Sequence, residues 1–93
     1  MREVEVQTET PEAAGWSYVI QVRSDGRESS HRVHLSWLDH DYWSGGALAP
    51  SRVIQAVIEY LLDHAPEALP ARFDAARARR IAPQIDQALR TPE

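Results

Sequence analysis

Apolar residues in the second half of the chain recur at helical spacing. Val53, Ile54, Val57, Ile58, Leu61, Leu62 and Ala65 stand one, three and four positions apart, which gathers them on one stripe. Gln55, Glu59 and Asp63 fall on the opposite, wet side, with Tyr60 at the border. Pro50 suits a first helical position, because its missing N–H has no partner there, and Pro66 cannot continue the ladder. The spacing predicts one strong helix between these prolines, on which the other apolar segments pack.

Upstream, the period changes to two. Val4, Val6 and Thr8 alternate with Glu3, Glu5, Gln7 and Glu9, which predicts a half-buried strand over 3–9. Over 16–23, Trp16, Tyr18, Ile20 and Val22 take one face. Ser17, Gln21 and Arg23 take the other, with Val19 as its apolar exception. Over 30–37, His31, Val33, Leu35 and Trp37 read as inward, and Arg32, His34 and Ser36 as outward. Residues 24–28, Ser-Asp-Gly-Arg-Glu, form a hairpin signal, since Gly26 accepts the positive φ such turns need. Residues 38–49 are the least regular part: a short helical turn over 38–43, then the Gly45-Gly46 pair. Residues 67–72 read as a linker with Leu69 buried. Asp74 caps a short helix over 75–81, and Pro83 opens a further turn with Ile85 and Leu89 inward. The expected fold is a single α+β domain over 1–93. A three-stranded antiparallel meander is followed by a long helix and one or two shorter C-terminal helices on one sheet face.

Composition narrows the function classes. A chain of 93 residues with 43% hydrophobic content fits one folded domain with a modest core. The absence of cysteine removes disulfides, zinc–thiolate sites and a cysteine nucleophile. No apolar run near Met1 resembles a signal peptide and none is long enough to span a bilayer, so a cytoplasmic protein without membrane contact is expected. The ten basic residues are all arginine, and lysine and asparagine are absent, as a GC-rich genome would produce. A net charge of −4 argues against a dedicated nucleic-acid binder.

Residues 58–66, Ile-Glu-Tyr-Leu-Leu-Asp-His-Ala-Pro, are followed by Leu69, by Phe73-Asp74 and by Ile81-Ala82-Pro83. This C-terminal half resembles small uncharacterised bacterial proteins with an aromatic-Leu-Leu helix end, a Phe-Asp pair and a hydrophobic-x-Pro close. The resemblance rests on core and cap residues and implies no activity or cofactor.

Candidate chemistry concentrates in a few places. His31, His34, Asp39, His40 and Asp41 form the densest set of metal-ligand and acid–base side chains, with His34, His40 and Asp41 as the candidate ligands. The spacing works against them, because His31 and His34 on one strand point to opposite faces and no metal motif is present. His40 between Asp39 and Asp41 is also a candidate general base for Ser36 or Ser44, without a supporting motif. No catalytic, cofactor-binding or metal site is therefore assigned. Trp16 and Trp37 have core parity, whereas Tyr42 and Trp43 beside the glycine pair suit an exposed partner anchor. Arg72, Arg77, Arg79, Arg80 and Arg90 give the C-terminal region local positive charge, which Glu67, Asp74 and Asp86 offset.

The expected function is a small non-enzymatic protein-interaction module that self-associates. Its two-fold homodimer would form around the third strand's edge and the 38–48 loop, with Tyr42 and Trp43 near the centre and Val19 as a further contact. One alternative is a nucleic-acid-binding accessory protein using Arg77, Arg79 and Arg80. Another is a metal-dependent or acid–base enzyme at the His/Asp cluster.

Overall fold

A computed structural model describes residues 2–90 and has the expected α+β architecture. Strands β1 (Arg2–Glu12), β2 (Gly15–Ser24) and β3 (Arg27–Ser36) form the antiparallel meander. Helices α1 (Trp37–Ser44) and α2 (Pro50–His64) follow. After a 3-10 turn over Pro66–Ala68 come a short strand β4 (Arg72–Asp74) and a second such turn over Ala75–Arg77. Helices α3 (Ala78–Ile81) and α4 (Ile85–Arg90) complete the described chain. The sheet order is β1-β2-β3-β4, with β4 parallel to β3. Among the described residues, no helix is long and apolar enough to cross a membrane.

The core lies between one sheet face and α2. Tyr18, Ile20, Val33 and Leu35 are fully buried against Ile54, Val57, Ile58 and Leu61. The β2–β3 hairpin closes on Asp25 and Gly26, both at positive φ (54° and 80°), a pair that matches the twist of the flanking strands. Gly15 starts β2 because nothing larger fits: a Cβ there would stand 2.1 Å from the Leu35 carbonyl oxygen.

Four expectations change. Arg72 is not the end of a linker: Arg72, Phe73 and Asp74 pair with Arg32, Val33 and His34, so part of the third strand's outer edge is already covered. Asp74 also caps the following turn as expected, its Oδ1 accepting the Ala76 N–H at 2.9 Å. A three-residue strand is too short for alternation to declare itself. In β1 the register shifts after Val6, which pairs with Ile20, so that Thr8 stands opposite Val19 on the outer face. A bulge of this kind reverses the parity beyond it, and Glu9 rather than Thr8 then reaches the Tyr18 hydroxyl, which donates to it at 2.9 Å. Trp37 is not the inward end of β3. The Ser36 hydroxyl accepts the Asp39 N–H at 3.0 Å and caps α1, so Trp37 becomes the first helical residue and is 55% exposed. Trp43, expected outside, is 4% exposed, because the eight-residue helix turns that side to the core.

Candidate functional site

Helix α1 leaves β3 at its Ser36 cap and stops at Gly45, whose φ of 62° and N–H bond to the Asp41 carbonyl form a left-handed cap. Its outer side carries Trp37 (55% exposed), Leu38 (82%) and Tyr42 (44%), and Leu48 (50%) follows in the next loop. Leu38 and Tyr42 are four residues apart and share a helical face. Asp39, Asp41, Arg79 and Asp86 join them around a shallow recess of about 500 Å³.

The C-terminal helices hold α1 in place. The buried Trp43 indole donates through Nε1 to Asp86 Oδ1 at 2.7 Å. Arg79 Nε donates to both Asp86 oxygens, at 2.8 and 3.0 Å, and its Nη2 donates to Asp39 Oδ1 at 3.0 Å. The same guanidinium lies 4.7 Å from the Trp43 ring centroid and 5.3 Å from that of Tyr42. Burial pulls the Arg79 pKa down, but its bonds to Asp39 and Asp86 outweigh this and raise it overall. Arg90 adds a second cation 4.3 Å from the Tyr42 centroid and donates through Nε to the Tyr42 carbonyl at 3.0 Å.

This arrangement separates the candidate arginines. Arg79 is committed to α1, so the nucleic-acid alternative loses one of its residues to an internal role. Arg77 and Arg80 stay exposed around Ala76, without an ion pair among the described residues.

The histidines are also dispersed. His34 lies on the outer sheet face, its Nδ1 3.0 Å from Asp74 Oδ2 and its Nε2 3.4 Å from Glu12 Oε1. His40 instead donates through Nε2 to the Leu48 carbonyl at 2.7 Å and sets its ring edge-on to Trp16 at 5.3 Å. Ser44 donates its hydroxyl proton to the His40 carbonyl, and Ser36 is engaged as the α1 cap, so neither hydroxyl faces the His40 ring nitrogens. His34, His40 and Asp41 are therefore not brought together. Among the described residues, no group of three or more His, Cys, Asp or Glu side chains is placed to hold a metal ion. Val19 is half-buried on the outer face in the middle of β2, opposite Thr8 and Arg32, and is not among the residues around the α1 recess.

One constellation escaped the sequence reading. His31 is 6% exposed, with its Nδ1 2.6 Å from the Pro70 carbonyl oxygen and its Nε2 2.8 Å from Ser29 Oγ. Both side chains line a groove of about 700 Å³ between the hairpin end of β3 and the end of α2. The available signal was the Ser29-x-His31 spacing, which puts both residues on one strand face. Compared with protein-family models, curated proteins and solved structures, the chain matches none of them.

Proposed function

We propose that the protein is a small interaction module that docks through the exposed side of α1 and self-associates there as a two-fold homodimer. The observation that carries this reading is the clustering of Trp37, Leu38, Tyr42 and Leu48: the exposed large hydrophobic residues of the described chain all fall within 37–48. Leu38 and Tyr42, which line one recess, form its apolar centre. Exposed apolar surface ringed by polar groups is costly in water and marks contact sites, and aromatic residues are enriched at interface centres. A two-fold contact uses the same patch on both copies, which a single short helix face can supply. Tyr42 is the central anchor of this reading. Trp43 supports it from below, and the third strand's edge plays no part. A cytoplasmic setting fits the cysteine-free sequence.

Sedimentation equilibrium at micromolar concentration tests the proposal. The wild-type chain is expected to sediment as a dimer, and Leu38→Ser with Tyr42→Ser to weaken association by roughly 100-fold or more, given about 1.5 kcal/mol or more per buried side chain. A wild-type monomer, or a folded double variant that still dimerises, overturns it.

The exposed Arg77 and Arg80, without an ion pair among the described residues, support a second reading, nucleic-acid contact along the C-terminal turn. The net charge of −4 weighs against it. A gel shift at low salt that disappears in Arg77→Glu with Arg80→Glu would favour this reading, and no shift at low salt would remove it.

A further inference from the structure

We propose that the groove at the hairpin end of β3 is an acyl-transfer site, with Ser29 as nucleophile and His31 as its general base. This activity lies beyond the interaction reading and does not depend on it, because α1 joins β3 at its opposite end.

The protonation state of the pair follows from its partners. A carbonyl oxygen only accepts, so the 2.6 Å contact to Pro70 places the proton of neutral His31 on Nδ1. Nε2 then presents its lone pair to Ser29 Oγ, whose hydroxyl donates to it across 2.8 Å. A nucleophile within hydrogen-bond reach of a base, itself oriented by a third group, is the arrangement that activates a serine. The third group is held firmly. The next carbonyl, that of Ala71, accepts the Arg32 N–H at 2.8 Å, which pins the chain entering β4 against β3. His31 is buried while Ser29 is open to solvent, so a substrate reaches the hydroxyl and not the far side of the ring.

The lining sets the substrate class. Val22, Leu62 and Leu69 give the groove an apolar floor that suits a short aliphatic acyl chain. At the rim Asp25 and Glu67 stand against Arg27, and Glu28 is already paired with Arg23 at 3.1 Å, so no excess of positive charge is offered to an anionic acyl donor. A neutral carbonyl stabilises the imidazolium less than the carboxylate of a Ser-His-Asp triad, so activated esters with good leaving groups are the fitting donors.

In the first step Ser29 Oγ attacks the acyl carbonyl carbon and its proton passes to His31 Nε2. The tetrahedral adduct collapses with cleavage of the ester C–O bond, and His31 returns the proton to the departing alkoxide or phenoxide. Water then attacks the acyl-serine, giving one proton to His31. The free acid and the Ser29 hydroxyl are regenerated.

The test is exposure of the full chain to p-nitrophenyl butyrate, followed by peptide mapping of the acylated serine. Ser30 is the internal control: it is also exposed but points to the opposite face of β3. Ser29 is expected to acylate about 100-fold faster than Ser30, the lower end of what a positioned general base supplies. Ser29→Ala, at an exposed position, should remove p-nitrophenol release, and His31→Gln should slow it about 100-fold. Equal acylation of Ser29 and Ser30, or undiminished release from Ser29→Ala, overturns the proposal. The Ser29-to-Ser30 comparison decides even if His31→Gln fails to fold.

Discussion

Arg79 shows how much one side chain can organise. Its guanidinium joins α1 to α4 by bonding Asp39 and Asp86, and it lies against the Trp43 ring. A planar fork that bonds two carboxylates and stacks on an aromatic face cannot be replaced by a point charge. Asp86 is the complementary hub, since it also accepts the Trp43 indole proton. Asp86→Ala is expected to lower stability by about 1–3 kcal/mol in urea unfolding, because a buried indole N–H is left without an acceptor. Asp86→Asn keeps an oxygen for that proton and loses only charge, so its loss should be clearly smaller; equal losses would show that the ion pair, not the indole, sets the cost. The sequence offered Arg77, Arg79 and Arg80 as one basic group. Which of them turns inward depends on where Asp39 and Asp86 stand in space, and local spacing does not contain that.

At the scale of elements, what was legible was what strong periodicity dictates. The apolar stripe and its two prolines marked α2, alternation marked the meander, and Asp25-Gly26 marked the turn. The misread parts are short or depend on single contacts: β4 is three residues long, one register shift in β1 reverses parity, and one serine cap converts the end of a strand into α1. The candidate sites follow the same rule. Tyr42 was readable as an exposed aromatic, but Trp37 and Leu38 join it only once the helix phase is known. Ser29 and His31 gain meaning from the Pro70 carbonyl, 39 residues along the chain from His31. Gly15 tests how tightly the meander is built. An Ala Cβ would stand 2.1 Å from the Leu35 carbonyl oxygen, a backbone atom that cannot retreat without opening the β2–β3 pairing. Gly15→Ala is expected to cost on the order of 3 kcal/mol. An unchanged urea midpoint would mean that the strands slide apart at no cost.

Across the whole molecule, two ionisable contacts that span elements respond to pH in opposite directions, the solvent-exposed Arg2–Asp63 pair weakly and the buried Tyr18 more strongly. Asp63, near the end of α2, is bonded by Arg2 at the start of β1, and that hydrogen bond holds its pKa below the ordinary carboxylate value. A depressed acid contributes fully above its unfolded pKa, and the contribution is lost as pH falls through the folded value. Tyr18 acts at the other end. Burial first, then the hydrogen bond and charge of Glu9, push its phenol well above the usual value of about 10. The folded state therefore keeps a proton that the unfolded state releases. The contribution is complete below pH ~10 and is lost above it at about 1.4 kcal/mol per pH unit. Tyr18→Phe removes that slope. At neutral pH it loses one hydrogen bond to an exposed carboxylate that can return to water, a cost of about 1 kcal/mol. The two proteins should therefore exchange order: wild type more stable at pH 7, the phenylalanine variant at least as stable by about pH 11. Urea unfolding across that range, with tyrosinate absorbance followed in parallel, measures the crossing. Stability curves that stay parallel from pH 7 to 11 would show that Tyr18 releases its proton without unfolding, and that the sheet's central tyrosine is not the source of the alkaline limit.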